Sequence, residues 1–166
     1  METDRRRYGA ENCTIARTLE IVGEKWTLLV LREAFYGLRR FADFEATIGC
    51  ARNILSDRLR TLVEHGVLTR EPYQEPGQRP RSEYRLTDKG LELLPALLAL
   101  MQWGDRWVAD EAGPPVRIAH RDCGRSVEVR LVCGAGHDGL TARETVAEPG
   151  PGAKVLTARE APRGGR

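Results

Sequence analysis

The stretch that decides the fold is Ile48-Gly49-Cys50-Ala51-Arg52-Asn53-Ile54-Leu55-Ser56-Asp57-Arg58-Leu59-Arg60-Thr61-Leu62-Val63-Glu64. Just ahead of it and at its start, Phe41, Phe44 and Ile48 recur at steps of three and four residues. Gly49-Cys50 then interrupts, and Leu55, Leu59, Leu62 and Val63 resume the same helical spacing. The pattern predicts two short amphipathic helices meeting at a tight turn, a helix-turn-helix. With Leu55, Leu59 and Leu62 turned inward, a step of about 100° per residue leaves Asn53, Ser56, Asp57, Arg60 and Glu64 on the outward arc, with Arg52 near the helix start. Small polar side chains and Arg at the leading end suit a probe of the DNA major groove, because Arg reaches guanine edges and Asn adenine edges. Taken alone, the second helix reads equally as an ordinary surface helix.

The segment downstream separates these readings. Val67-Leu68-Thr69-Arg70-Glu71-Pro72-Tyr73 and Ser82-Glu83-Tyr84-Arg85-Leu86-Thr87 are β-prone runs around a Pro76-Gly77 turn, so a hairpin is expected with Arg79 and Arg81 at its long tip. A hairpin directly after a recognition-type helix is a wing: the helix lies in the major groove while the Arg-tipped loop reaches the adjacent backbone or minor groove. Arg39 and Arg40, at the start of the first helix of the motif, are placed for backbone phosphate. Gly66 closes the recognition helix where a left-handed cap belongs.

Upstream, Ile15, Leu19 and Val22 form a helical stripe from Cys13 that Gly23 closes. A second helix is predicted from Glu24 to about Tyr36, burying Trp26, Leu29, Val30 and Ala34. After the wing, Thr87-Asp88 offers a cap for a helix reaching about Asp110, with Pro95 kinking or breaking it. Leucines lie on nearly every side of it between residues 93 and 101, and Trp103 and Trp107 follow. That surplus predicts a partner subunit, here a second copy reading a second half-site. Residues 1–12 read as a flexible basic arm, 13–112 as the DNA-binding and dimerisation domain, 113–147 as a small β-hairpin appendage, and 148–166 as a disordered, Gly/Pro/Ala-rich tail. The fold class is therefore mainly α with a small β-hairpin wing, plus a short hairpin or zinc-ribbon-like appendage.

Composition bounds the function. A chain of 166 residues, 30% charged and with net charge +2, is no bulk polyanion binder. Residues 1–112 carry 17 Lys/Arg against 18 Asp/Glu, so nucleic-acid contact must come from local placement of Arg. The charged opening with no apolar run behind it predicts a cytoplasmic protein without a signal peptide, and the Leu-rich run near residue 95 is too short to span a bilayer. Four Cys in that compartment argue for free thiols, a metal site or redox sensing, not a disulfide framework. His120 near Cys123 can be drawn as a base and nucleophile, yet no orienting third residue, oxyanion loop or Gly-rich phosphate cradle accompanies it, and no enzyme is expected.

From Cys13 to Trp107 the chain resembles the HxlR-type transcription regulators, a branch of the MarR-like winged-helix proteins. The resemblance rests on Cys13-Thr14-Ile15, Gly23-Glu24-Lys25-Trp26-Thr27, Arg39-Arg40-Phe41-Ala42-Asp43-Phe44, Leu55-Ser56-Asp57-Arg58-Leu59-Arg60-Thr61-Leu62, Gly66-Val67-Leu68, Tyr84-Arg85-Leu86-Thr87-Asp88-Lys89-Gly90 and Trp103-Gly104. It implies a homodimeric DNA-binding regulator whose amino-terminal and post-wing helices pair. It also implies a recognition helix at 51–64 and a wing at 73–81. Double-stranded DNA is the expected partner, with Arg39, Arg40, Arg52, Asn53, Ser56, Asp57, Arg60, Arg79 and Arg81 as contacts. Cys13 falls where several members are similar in carrying a sensing thiol; the alternative is a small packed residue. In the appendage, His120-x2-Cys123 and Cys133-x3-His137 form the ligand set of a structural zinc site. Longer relatives look similar here but with Cys-x2-Cys as the second pair, whereas this chain has Gly136 at that place and His137 one residue later. No cofactor is required, and zinc is the one metal the residues suggest. The alternative function is a protein-docking winged helix with a zinc-ribbon-like adapter.

Overall fold

Helical periodicity and glycine stops produce the expected order of elements in the computed structural model, which describes residues 9, 11–74, 76–77 and 79–156. The elements are α1 (Thr14–Val22), α2 (Lys25–Phe35), α3 (Phe41–Ile48), α4 (Arg52–Glu64), β1 (Leu68–Tyr73), β2 (Arg81–Leu86), α5 (Asp88–Leu91) and α6 (Leu94–Trp107). The chain divides into one compact unit at Leu19–Val129 and another built from residues 1–18 and 130–166. Among the described residues, no helix is long and apolar enough to cross a membrane.

The core of the larger unit takes in only part of the apolar stripes read from the sequence: in α2 Leu31 is buried beside Val30 while Trp26, Leu29 and Ala34 are half-buried, and ahead of Val22 the expected Ile15 and Leu19 are exposed. Val30 and Leu31 of α2, Phe44 of α3 and Leu55, Leu59 and Leu62 of α4 are all buried, joined by Val22, Ile48, Val67 and Leu68. α2 packs across α4 and α3 and also meets β2 and α6, so it is the strut behind the helix-turn-helix. Each fully buried Leu contributes about 1.5–3 kcal/mol relative to exposure. Thus α4 is fixed by its inner face and its outer face is free to serve function.

Glycine sets the turn of the motif. Gly49 ends α3 in the left-handed region at φ 70°, where an L side chain is disfavoured. Gly66 does the same after α4, at φ 65°, with its N–H donating to the Val63 carbonyl at 2.9 Å and the Val67 N–H reaching the Leu62 carbonyl at 2.8 Å.

β1 and β2 pair antiparallel from Leu68 opposite Leu86 to Tyr73 opposite Arg81. Arg81 is therefore the first residue of β2 and not part of the loop tip, a correction to the expected wing boundary; Arg79 does lie in the loop and is exposed. The strand extends because Arg81 still finds a cross-strand neighbour in Tyr73. The Tyr84 N–H donates to the Arg39 carbonyl at 2.8 Å and Arg40 bridges to Glu83, so the wing is tied to the start of α3. The Phe44 and Tyr84 rings meet edge to face at 6.5 Å.

The single long post-wing helix expected from Asp88 is two helices. α5 is capped by Thr87, whose hydroxyl oxygen accepts from the Gly90 N–H at 3.0 Å, and α6 restarts with Pro95 in its first turn. Proline is tolerated there because its missing N–H would lack a partner anyway. α6 ends at Trp107, short of Asp110. Of its apolar residues only Leu98 is buried, and Leu100, Trp103 and Trp107 are exposed.

The alternation after Val116 forms a short hairpin without extended strands. Residues 118–127 close a tight turn through Val127 N–H to Ile118 carbonyl at 2.9 Å and His120 N–H to Arg125 carbonyl at 2.7 Å, with one isolated bridge between Ala119 and Ser126. Gln102 of α6 holds this turn by donating to the Val127 carbonyl at 2.9 Å and accepting from the Val129 N–H at 3.0 Å. In the smaller unit, Cys133 N–H to His137 carbonyl at 3.1 Å and Leu140 N–H to Leu131 carbonyl at 3.1 Å close a second turn. The tail expected to be disordered from residue 148 is bonded in its described part: Gly9 N–H donates to the Lys154 carbonyl at 3.1 Å and the Asn12 amide to the Gly152 carbonyl at 3.4 Å. Most of the basic arm (1–8 and 10) and the rest of the tail (157–166) lie outside the described residues.

Candidate nucleic-acid interface

The outward arc of α4 is as the periodicity predicts. Arg52, Asn53, Ser56, Arg60 and Glu64 are exposed and Asp57 is half-buried, opposite the buried Leu55, Leu59 and Leu62. Beside it, α3, the start of α4 and the wing enclose a groove of about 520 Å³, into which Arg40, Arg52, Arg70 and Arg81 converge with Ser56 and Tyr73. Asp43 and Glu45 also line the groove, so the four Arg leave it a local positive excess in a unit that has none in bulk, which suits a polyanion.

The Arg side chains are not loose. Arg40 stacks on the Tyr73 ring, its Cζ 4.7 Å from the centroid, and so joins the motif to the wing. Arg60 pairs with Asp57 at 2.8 Å and faces Glu64 at 3.8 Å. Arg52 donates to Glu45 of α3 and lies over the Phe41 ring. Exposed pairs of this kind add little stability, about 0–1 kcal/mol each, but they limit the directions in which the guanidiniums point. Arg39 is exposed at the end of the loop before α3, with its carbonyl engaged by the wing.

The HxlR-like helix-turn-helix family model matches residues 21–112. The chain belongs to the HxlR-like helix-turn-helix family. An uncharacterized HTH-type transcriptional regulator of Mycobacterium tuberculosis is 46% identical over 148 residues, covering 89% of this chain and 92% of that protein. Among solved structures, PA1607, assigned as a transcription factor, aligns with a TM-score of 0.74 at 40% identity over 83% of this chain and 95% of that one. The redox regulator HypR in its oxidized form aligns with a TM-score of 0.51 at 31% identity over 55% of this chain and 94% of that one.

In this HxlR-like chain Arg70, Tyr73 and Glu45 join the groove without having been singled out by sequence. A signal for Arg70 existed: strand alternation puts it on the face of Leu68, and it pairs across the hairpin with Tyr84, which packs on the helices. Cys13 is half-buried immediately before α1. Arg17, one turn on, donates to the Asn12 side chain at 3.1 Å. Cys50 packs against the core in the turn of the motif.

The carboxy-terminal His/Cys residues form two close pairs, His120 Nδ1 to Cys123 Sγ at 3.3 Å and Cys133 Sγ to His137 Nδ1 at 3.2 Å. Backbone N–H groups of Ala135 and His137 aimed at the Cys133 sulfur hold its pKa below the ordinary thiol value. Each pair alone supplies two of the four ligands of a structural zinc. Among the described residues, no group of three or more His, Cys, Asp or Glu is gathered to hold a metal ion.

Proposed function

We propose that this chain is a transcription regulator that binds double-stranded DNA as a homodimer, with α4 in the major groove and the wing on the adjacent backbone or minor groove. The observation that carries this reading is the convergence of Arg40, Arg52, Arg70 and Arg81 beside the exposed polar face of α4. Family membership and the regulators it resembles support it. Arg52, Asn53, Ser56, Asp57 and Arg60 face the bases; Arg39, Arg40, Arg70, Arg79 and Arg81 face phosphate. The deciding experiment selects fragments of the source genome on the purified protein at physiological salt. A pseudo-palindromic site bound at least about a thousandfold more tightly than bulk DNA is expected; retention of no fragment above bulk would refute the reading.

Arg81→Ala is expected to weaken all sequences alike and to reduce the slope of log affinity against log salt by about 1, read by fluorescence anisotropy across a salt series. A loss confined to the selected site would assign Arg81 to base reading.

Dimerisation follows from apolar surface that one chain leaves uncovered. On α6 Trp103 is 55% and Trp107 71% exposed, and Leu19 of α1 is 54% exposed. Large apolar side chains left this exposed on one helix suit an interaction site. The double substitution Trp103→Glu and Trp107→Glu is expected to convert the dimer to monomer in sedimentation velocity. A dimer that persists at micromolar concentration would exclude this face of α6.

A further inference from the structure

We propose that Glu45 is a positioning residue which, with Phe41, presets Arg52 as a fork for a guanine edge in the major groove; this rests on the DNA-binding reading above. Arg52 is the first residue of α4, a position where a cation meets the positive end of the helix dipole, and Ala51 gives no side-chain cap. A long exposed Arg in that place would sample many rotamers. Instead its Nη1 donates to both carboxylate oxygens of Glu45, at 3.1 and 2.8 Å. Its Cζ also lies 4.8 Å from the centre of the Phe41 ring. Glu45 is in the last turn of α3 and Phe41 in the first, so both anchors belong to the helix that packs on α4 and the strut α2.

The atoms used leave a specific set available. A guanidinium has five N–H donors, and the Glu45 carboxylate engages Nη1 alone. The edge formed by Nε and Nη2 keeps parallel donors, the spacing that matches O6 and N7 of guanine. The Arg52 side chain is 73% exposed and that of Glu45 34%, so the fork is outside while its anchor is partly sheltered. Presetting the fork lowers the rotamer entropy lost on binding. The Glu45 carboxylate also repels phosphate, so it disfavours the competing use of Arg52 as a backbone contact. Base reading is thereby favoured at the leading end of α4.

The test compares wild type with Glu45→Gln, Glu45→Asp and Arg52→Ala on three DNAs: the genome-selected site, the same site with 7-deazaguanine at each half-site guanine in turn, and bulk DNA. Glu45→Gln is expected to lower the ratio of selected-site to bulk affinity roughly tenfold, with bulk binding unchanged or tighter. Glu45→Asp is expected to recover part of that ratio. One 7-deazaguanine position is expected to weaken wild type and to leave Arg52→Ala unaffected. A Glu45→Gln protein that tightens on every DNA equally, or whose ratio equals that of wild type, overturns the inference and makes Glu45 only an opposing charge. Wild type without any preferred site removes the DNA-binding reading itself, and this inference with it, before the variants are compared. Circular dichroism and melting of the variants, expected to match wild type, separate loss of positioning from loss of fold.

Discussion

Leu59→Ala is expected to lower the unfolding free energy by about 2–5 kcal/mol, a large share of what a domain of this size has in total. Leu59 is fully buried in the cluster that joins α2, α3 and α4, at the centre of the inner face of α4. Removing three carbons there forfeits their transfer free energy and leaves a cavity that the packed helices fill only partly. The measurement is urea unfolding, with a lower midpoint and an unchanged slope. Ser56→Ala, on the opposite face of the same helix, is the control and should stay within about 0.5 kcal/mol of wild type. DNA binding of the Leu59 variant should fall with its folded fraction, whereas Ser56→Ala should alter binding alone. Equal stability of the two variants would contradict the inner and outer faces assigned to α4.

Gly90→Ala should be the second severe substitution, against the usual gain of about 1 kcal/mol for Ala over Gly within a helix. A Cβ at position 90 would sit 2.3 Å from the Val67 carbonyl oxygen and 3.0 Å from Leu86 Cδ2. The first neighbour is backbone, and it is held in place: the Val67 carbonyl accepts from the Thr87 N–H at 3.2 Å, next to the Thr87 hydroxyl. The same hydroxyl donates to the Gly66 carbonyl at 2.7 Å, and the Lys89 ammonium to the His65 carbonyl at 2.8 Å. α5 is thus pinned to the end of α4 and the root of the wing, so the clash cannot be relieved by moving one side chain. A net loss of about 2 kcal/mol is expected from overpacking, read as a fall in melting temperature in calorimetry. An Ala variant as stable as wild type would mean that α5 can shift away from Val67 without cost. Because the wing root would move, this variant should also weaken DNA binding more than its folded fraction explains.

What could be read from sequence alone was whatever depends on the nearest few residues. The inner face of α4, the stops at Gly49 and Gly66, the wing strands and the break at Pro95 all follow from side-chain period, from φ preference and from the missing proline N–H, which are local properties. The alternation after Val116 was legible only in part: Ile118 pairs with Val127 and His120 with Arg125 around a turn, but the pairing is too short to extend into strands, because a period of two makes a strand only as far as a partner runs along it. The makeup of the groove was decided by tertiary structure. Arg70 reaches it through hairpin register, Arg40 through stacking on Tyr73, and Glu45 meets Arg52 only because the turn at Gly49 folds α3 back beside the start of α4. Such pairings depend on distances through space between residues on different elements, which no local periodicity encodes.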